Sequence, residues 1–147
     1  MPREIRTEVT IQAPAERVWA ILIDFPSYPS WNPFVREILG DPVPGSRLTV
    51  RLSQGGSSVT TFHPRVKAAR PNQELRWLGR LGIPGLFDGE HSFTIAPAPS
   101  GGVSFSQCES FRGLLVPLVW RTLDRKTRAM FERMNEAIRA RCEHPPG

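Results

Sequence analysis

Residues 103–140 read VSFSQCESFRGLLVPLVWRTLDRKTRAMFERMNEAIRA, and their hydrophobic period changes once. Up to Phe111 it is two: Val103, Phe105, Gln107, Glu109 and Phe111 share one face, and Ser104, Ser106, Cys108 and Ser110 share the other. That is the alternation of a half-buried strand. From about Leu114 the apolar steps become three and four, through Val116, Val119, Trp120, Leu123, Thr127, Met130, Met134 and Ile138. Arg121, Arg125, Arg128, Glu132 and Arg139 fall mostly between them. The spacing predicts an amphipathic helix of roughly 25 residues, about 38 Å long. A stripe of that length has to bury against a sheet face.

Working back toward the N-terminus, residues 4–12 alternate, with Ile5, Thr7, Val9 and Ile11 on one side. Ala13-Pro14-Ala15-Glu16 then opens a helix whose stripe is Val18, Trp19, Leu22 and Ile23. Proline suits a first turn, and the helix must end before Pro26. The proline- and aromatic-dense stretch from Phe25 to Pro33 fits a second short helix or tight turn. Strand signals follow at about 35–39, 46–53, 58–69, 73–81, 87–97 and 103–112, divided by Gly, Pro, Asn and Ser clusters. With the first strand this makes seven, and their short connections predict an antiparallel meander. The expected fold is α+β. A curved seven-stranded antiparallel sheet wraps a long C-terminal helix, with two short helices between strands one and two. A strongly twisted sheet curls, so a straight helix laid across it leaves space inside. The expected domain is 1–142, with 143–147 as a flexible tail.

The last hairpins can be read in register. A five-residue loop at Ala98–Gly102 pairs Ile95 with Phe105, Phe93 with Gln107, His91 with Glu109 and Gly89 with Phe111. The turn at Gly82–Gly85 pairs Gly79 with Gly89, Trp77 with His91 and Leu75 with Phe93. Trp77, His91 and Glu109 then form one row facing the interior. A slip of one residue would turn Phe93, Phe105 and Phe111 outward. The expected ligand-facing wall is Trp31, Phe62, Trp77, His91, Phe93, Phe105, Gln107, Glu109 and Phe111, faced by Trp120, Met130 and Met134. His91 and Glu109 are the only candidates for acid/base work, either on a ligand or as a satisfied buried pair. Antiparallel geometry also brings the turn Ile83, Leu86 and Phe87 beside Leu114, Leu115 and Leu118. So apolar a loop is unusual, and it reads as a gate, a contact with a membrane or second subunit, or mutual packing.

Composition excludes several classes. Cys108 and Cys142 do not make a disulfide framework, and no metal-type spacing occurs. Glu90 and His91 point to opposite faces of a strand, which argues against a shared ion. Glycine-rich phosphate cradles, dinucleotide fingerprints and a Ser/His/Asp arrangement are absent, so neither a metal nor a cofactor is expected. No apolar run approaches the ~20 residues of a membrane span, and no apolar leader core opens the chain. The expectation is a cytoplasmic protein with reduced thiols, monomeric or homodimeric. There are 19 Lys and Arg against 14 Asp and Glu, many of the basic residues lying between Arg112 and Arg141. That is read as the solvated face of one helix; a nucleic-acid partner is not expected, and a transient membrane contact is compatible with it.

Ala13-Pro14-Ala15-Glu16-Arg17-Val18-Trp19 and Asp24-Phe25-Pro26-Ser27-Tyr28-Pro29-Ser30-Trp31-Asn32-Pro33-Phe34 resemble the SRPBCC (START-like, helix-grip) superfamily. The similarity is to its bacterial polyketide cyclase/dehydrase-type members. Glu74-Leu75-Arg76-Trp77 and the stretch from Phe105 to Leu115 continue it. The resemblance implies a cavity for hydrophobic or aromatic small molecules, and no catalytic residue follows from it. Three functions stand open at this level. One is a module binding a lipid-like or polyketide-like molecule. Another is a cyclase/aromatase-type enzyme using His91 and Glu109. The last is an interaction module using the basic helix, whose binding would weaken with salt. The thin polar inventory favours binding.

Overall fold

The computed structural model describes residues 3–53, 57–80 and 85–145. Arg3–Ile11 form β1, Ala15–Leu22 form α1, and Phe25–Ser30 form a 3₁₀ helix. Then come β2 (Val35–Leu39), β3 (Thr49–Ser53), β4 (Val59–Phe62), β5 (Arg65–Arg70), β6 (Glu74–Arg80), β7 (Asp88–Pro97) and β8 (Val103–Arg112). The chain ends on α2, Val116–Glu143. Among the described residues eight strands therefore replace the expected seven, in two sheets ordered β1-β8-β7-β6-β5 and β2-β3-β4. The expected strand 58–69 breaks at His63-Pro64, because proline has no N–H to donate to a ladder. The sheets stay joined across the break: Leu48 N donates to Pro64 O at 2.8 Å and Val66 N to Ser46 O at 2.8 Å.

The anticipated hairpin register is the observed one. Ile95 pairs with Phe105, Phe93 with Gln107, His91 with Glu109, and Trp77 with His91. Alternation decides this, since the inward face carries Phe93, Phe105 and Phe111, all buried, and the outward face carries serines. α2 runs across the large sheet and buries Val116, Phe131, Met134, Asn135, Ile138 and Cys142.

α1 begins after Pro14, buries Val18, Trp19 and Leu22, and stops at Ile23. The following 3₁₀ turn is held by buried Tyr28, whose hydroxyl donates to Leu22 O. Burial raises the Tyr28 phenol well above its usual range. Asn32 Oδ1 then accepts from Phe34 N and Val35 N, both at 2.9 Å, which launches β2. The helix outlasts the expected domain end. Glu143 is its last residue rather than the start of a tail, because its carboxylate accepts from Gln12 N at 2.8 Å and from Arg139 at 3.1 Å. Both thiols are free. Burial pushes Cys142 up to about 11 and raises Cys108 as well, so neither is an activated nucleophile.

Candidate functional site

Where β6 and β7 pair Gly79 with Gly89, the inner face of the sheet carries no side chain. A Cβ on Gly79 would stand 3.0 Å from the Phe62 ring, and one on Gly89 2.5 Å from Glu109 Oε2. Over this bare floor lies a cavity of about 300 Å³. Phe34, Leu52 and Phe62 wall it on one side, Phe87 and Phe111 on another, and Leu123 and Met130 of α2 close it. Ser53, Thr60 and Thr127 add hydroxyls, and exposed Arg80 and Lys126 stand at the rim. Arg80 is paired with Asp88 at 3.7 Å. Among the described residues Glu109 is the one acidic side chain in the lining.

A second depression, larger at about 500 Å³, lies among Gln12–Ala15, Gln73, Pro97 and Gly102. It is an open surface hollow bounded by loops, with no charged side chain in its lining.

Of the expected wall, Phe62, Glu109, Phe111 and Met130 line the cavity. Trp77, Phe93, Phe105 and Met134 are packed into solid core instead. His91 is in the same layer: its ring stacks on Phe93 at 4.3 Å and tilts against Phe131 at 4.8 Å and Trp77 at 5.5 Å. It therefore reaches the cavity only through Glu109. Trp120 sits behind Phe111, its centroid 6.1 Å away, with the Arg3 guanidinium 5.5 Å over its ring. Trp31 packs edge-on against Tyr28 and donates to Ser27 Oγ at 3.2 Å, away from the lining.

The expected gate splits in two. Phe87 lines the cavity, and Ile83 lies outside the described residues. Leu114 N donates to Gly85 O and Leu115 N to Leu86 O, so the two segments do lie together. Gly113 makes this possible: its φ is +128° and a Cβ there would overlap Leu86 O. Yet Leu114 is 81% and Leu118 80% exposed, so these side chains face outward rather than closing the core.

Behind the wall runs a buried polar chain. His91 Nδ1 lies 3.0 Å from Glu109 Oε1, and His91 Nε2 lies 3.0 Å from Gln107 Oε1. Gln107 Nε2 donates to Phe131 O at 3.2 Å and to Asn135 Oδ1 at 2.7 Å. Asn135 Nδ2 donates to Thr7 Oγ1 at 2.9 Å. Each polar group thereby offsets its desolvation. Gln107 is thus a hub in the core, not a ligand-facing group. Thr7 and Asn135 were not anticipated; the signal was a polar residue on each of two otherwise apolar faces. Phe34, Leu52, Ser53 and Thr60 were also missed, because nothing in the pattern places the small sheet over the large one; Leu123 and Thr127 were read only as part of the helix stripe. Gly79 beside Gly89 was legible as a pair, but not as an empty floor. No group of three or more candidate metal ligands occurs among the described residues.

Fold and site together define a helix-grip domain with an apolar chamber. The chain belongs to the polyketide cyclase / dehydrase and lipid transport family, whose model matches residues 2–143. No curated protein matches it in sequence. A START superfamily protein from Mycobacterium smegmatis is similar in structure, with a TM-score of 0.76, 20% identity, and 97% of this chain and 99% of that one covered. The Zhui aromatase/cyclase from Streptomyces sp. R1128 is also similar, with a TM-score of 0.73, 14% identity, and 100% and 99% covered. The di-domain ARO/CYC protein BexL of the BE-7585A biosynthetic pathway gives a TM-score of 0.75 at 16% identity over 99% of this chain. This chain spans 51% of that protein's length, about half. At such identities the likeness is one of fold.

Proposed function

We propose that this domain binds one small hydrophobic or aromatic molecule in the chamber between the β6–β8 face, the small sheet and α2. The supporting observation is an apolar space of about 300 Å³ floored by two glycines and open at a basic rim. Protein interiors pack at a density of ~0.74 with few voids larger than a water, so a hollow of this size is not a packing fault. It stands at the lower end of the ~300–1,000 Å³ range of ligand sites. The test is native mass spectrometry of the purified protein together with titration of a solvatochromic dye. One dye per chain is expected, with binding weakened at least about tenfold in Gly79→Val, whose side chain projects into the floor. Binding that is unchanged when the floor is filled would falsify the assignment.

A second reading is a cyclase/aromatase-type enzyme, supported by the acid/base pair at the wall, where His91 Nδ1 stands 3.0 Å from Glu109 Oε1. Turnover of a polyketide-like substrate that vanishes in Glu109→Gln, while binding persists, would favour it. The exposed Leu114, Leu115, Leu118 and Val119, with exposed Arg112, Arg121 and Arg125 nearby, suit a transient contact with an anionic lipid surface.

A further inference from the structure

The polar chain behind the cavity wall determines where its hydrogens lie. Phe131 O is a backbone carbonyl and only accepts. Gln107 Nε2 lies 3.2 Å from it, so the NH₂ end of Gln107 points at α2 and its Oε1 faces His91 Nε2 at 3.0 Å. An amide oxygen cannot donate, so His91 Nε2 must carry a hydrogen. In a neutral imidazole the other nitrogen then holds a bare lone pair. That nitrogen, Nδ1, lies 3.0 Å from Glu109 Oε1. A lone pair facing an ionised carboxylate at this distance is repulsive, so a further proton has to sit between them.

We infer that His91 and Glu109 share one proton, as imidazolium with carboxylate or imidazole with carboxylic acid, and that the chamber selects neutral, hydroxyl-bearing aromatic ligands over carboxylates. The selectivity rests on the chamber being a ligand site; the shared proton does not. In both forms the proton lies on the His91 side, at Nδ1 or Oε1. Glu109 Oε2, the atom that stands over Gly89, therefore accepts in either case. A ligand hydroxyl can donate to it, whereas a carboxylate would set acceptor against acceptor. The other groups packed on the pair add no charge at its inner side. Phe93 comes from β7, Trp77 from β6 and Phe131 from α2. Arg80 and Lys126 stand at the rim, and Arg80 is matched by Asp88. Gln107 is then a positioning residue: it sets the histidine tautomer, which sets the proton on the carboxyl side, which sets what the ligand meets.

The direct experiment is side-chain ¹⁵N and ¹³C spectroscopy of the labelled protein in neutral buffer. Expected are a protonated Nε2 on His91, and either a protonated Nδ1 or a Glu109 carboxyl carbon at the acid position. A bare Nε2, or a neutral Nε2–H ring beside an ionised Glu109, overturns the shared proton. This measurement uses the unaltered protein and survives any variant that fails to fold. In Gln107→Leu the constraint is gone, and His91 is expected to move to the Nδ1–H tautomer, donating to ionised Glu109; an unmoved tautomer overturns the positioning role. In a second arm 2-naphthol, naphthalene and 2-naphthoate are titrated. Naphthol is expected to bind at least about tenfold tighter than naphthoate, the margin of one well-made hydrogen bond over a clash of acceptors. Equal binding of naphthol and naphthoate overturns the selectivity and leaves the chamber a ligand site. Failure of all three probes, naphthalene included, removes the ligand site and the selectivity with it, while the spectra still decide the proton.

Discussion

The two halves of α2 lie on the same protein and do different work. The C-terminal half presents Phe131, Met134, Ile138 and Cys142, all fully buried. They belong to the same core cluster as Phe93 and Phe105, and Phe131 tilts against Phe34, on the cavity wall, with centroids 5.6 Å apart. The N-terminal half presents Leu123, Thr127 and Met130, half-buried, over the chamber, and turns Leu118 and Val119 to the outside. Both halves carry the same apolar stripe. What differs is the surface opposite: rings under the first half, a glycine pair under the second. A hollow in a close-packed fold comes from what the sheet withholds, not from a shortage of apolar residues on the helix.

The largest expected effect breaks the solid half. Phe131→Ala should cost about 3–5 kcal/mol in denaturant unfolding, because its neighbours cannot collapse into the gap. Leu123→Ala, over the chamber, should cost about 1–2 kcal/mol, since its side chain already borders empty space. Equal losses would erase the distinction between the halves. A middle-sized effect tests the polar chain that lies between them. Asn135→Leu leaves Gln107 with one acceptor fewer and Thr7 without its partner, and should cost about 1–3 kcal/mol. A neutral result would mean that the chain is dispensable to the core. The smallest stability effect belongs at the helix start. Leu114→Ser with Leu118→Ser should leave stability within about 0.5 kcal/mol, because both side chains already face water. The same pair should lower adsorption to vesicles rich in anionic lipid, and unchanged adsorption would dismiss the lipid-surface contact.

Much of the frame could be read from local pattern. The inward set of β8 holds Val103, Phe105 and Phe111 at alternate positions with Gln107 and Glu109, and the loop at Ala98–Gly102 leaves one pairing that keeps Phe93, Phe105 and Phe111 together inside. Register therefore carried His91 to Glu109 correctly. The change of period near Leu114 marked α2, and Pro14 and Pro26 bracketed α1. The break at Pro64 went unread, since 58–69 reads as one strand, and so did its consequence: two sheets, with the small one folded over Gly79. Residues such as Leu52, Phe62 and Thr60 reach the chamber through that fold-over, which depends on contacts distant in sequence.

The same division holds at the site. Sequence alone determined which residues share the inner face, because strand alternation and a helix period are local properties of the backbone. It put Trp77, His91 and Glu109 in one row and could go no further, since a row has no depth. Only the tertiary structure decided that His91 is sealed between rings, that Glu109 stands in front of it over Gly89, and that Gln107 reaches across to Phe131 and Asn135. Those are distances between elements, set by how a helix settles on a curved sheet, and no one-dimensional pattern encodes them.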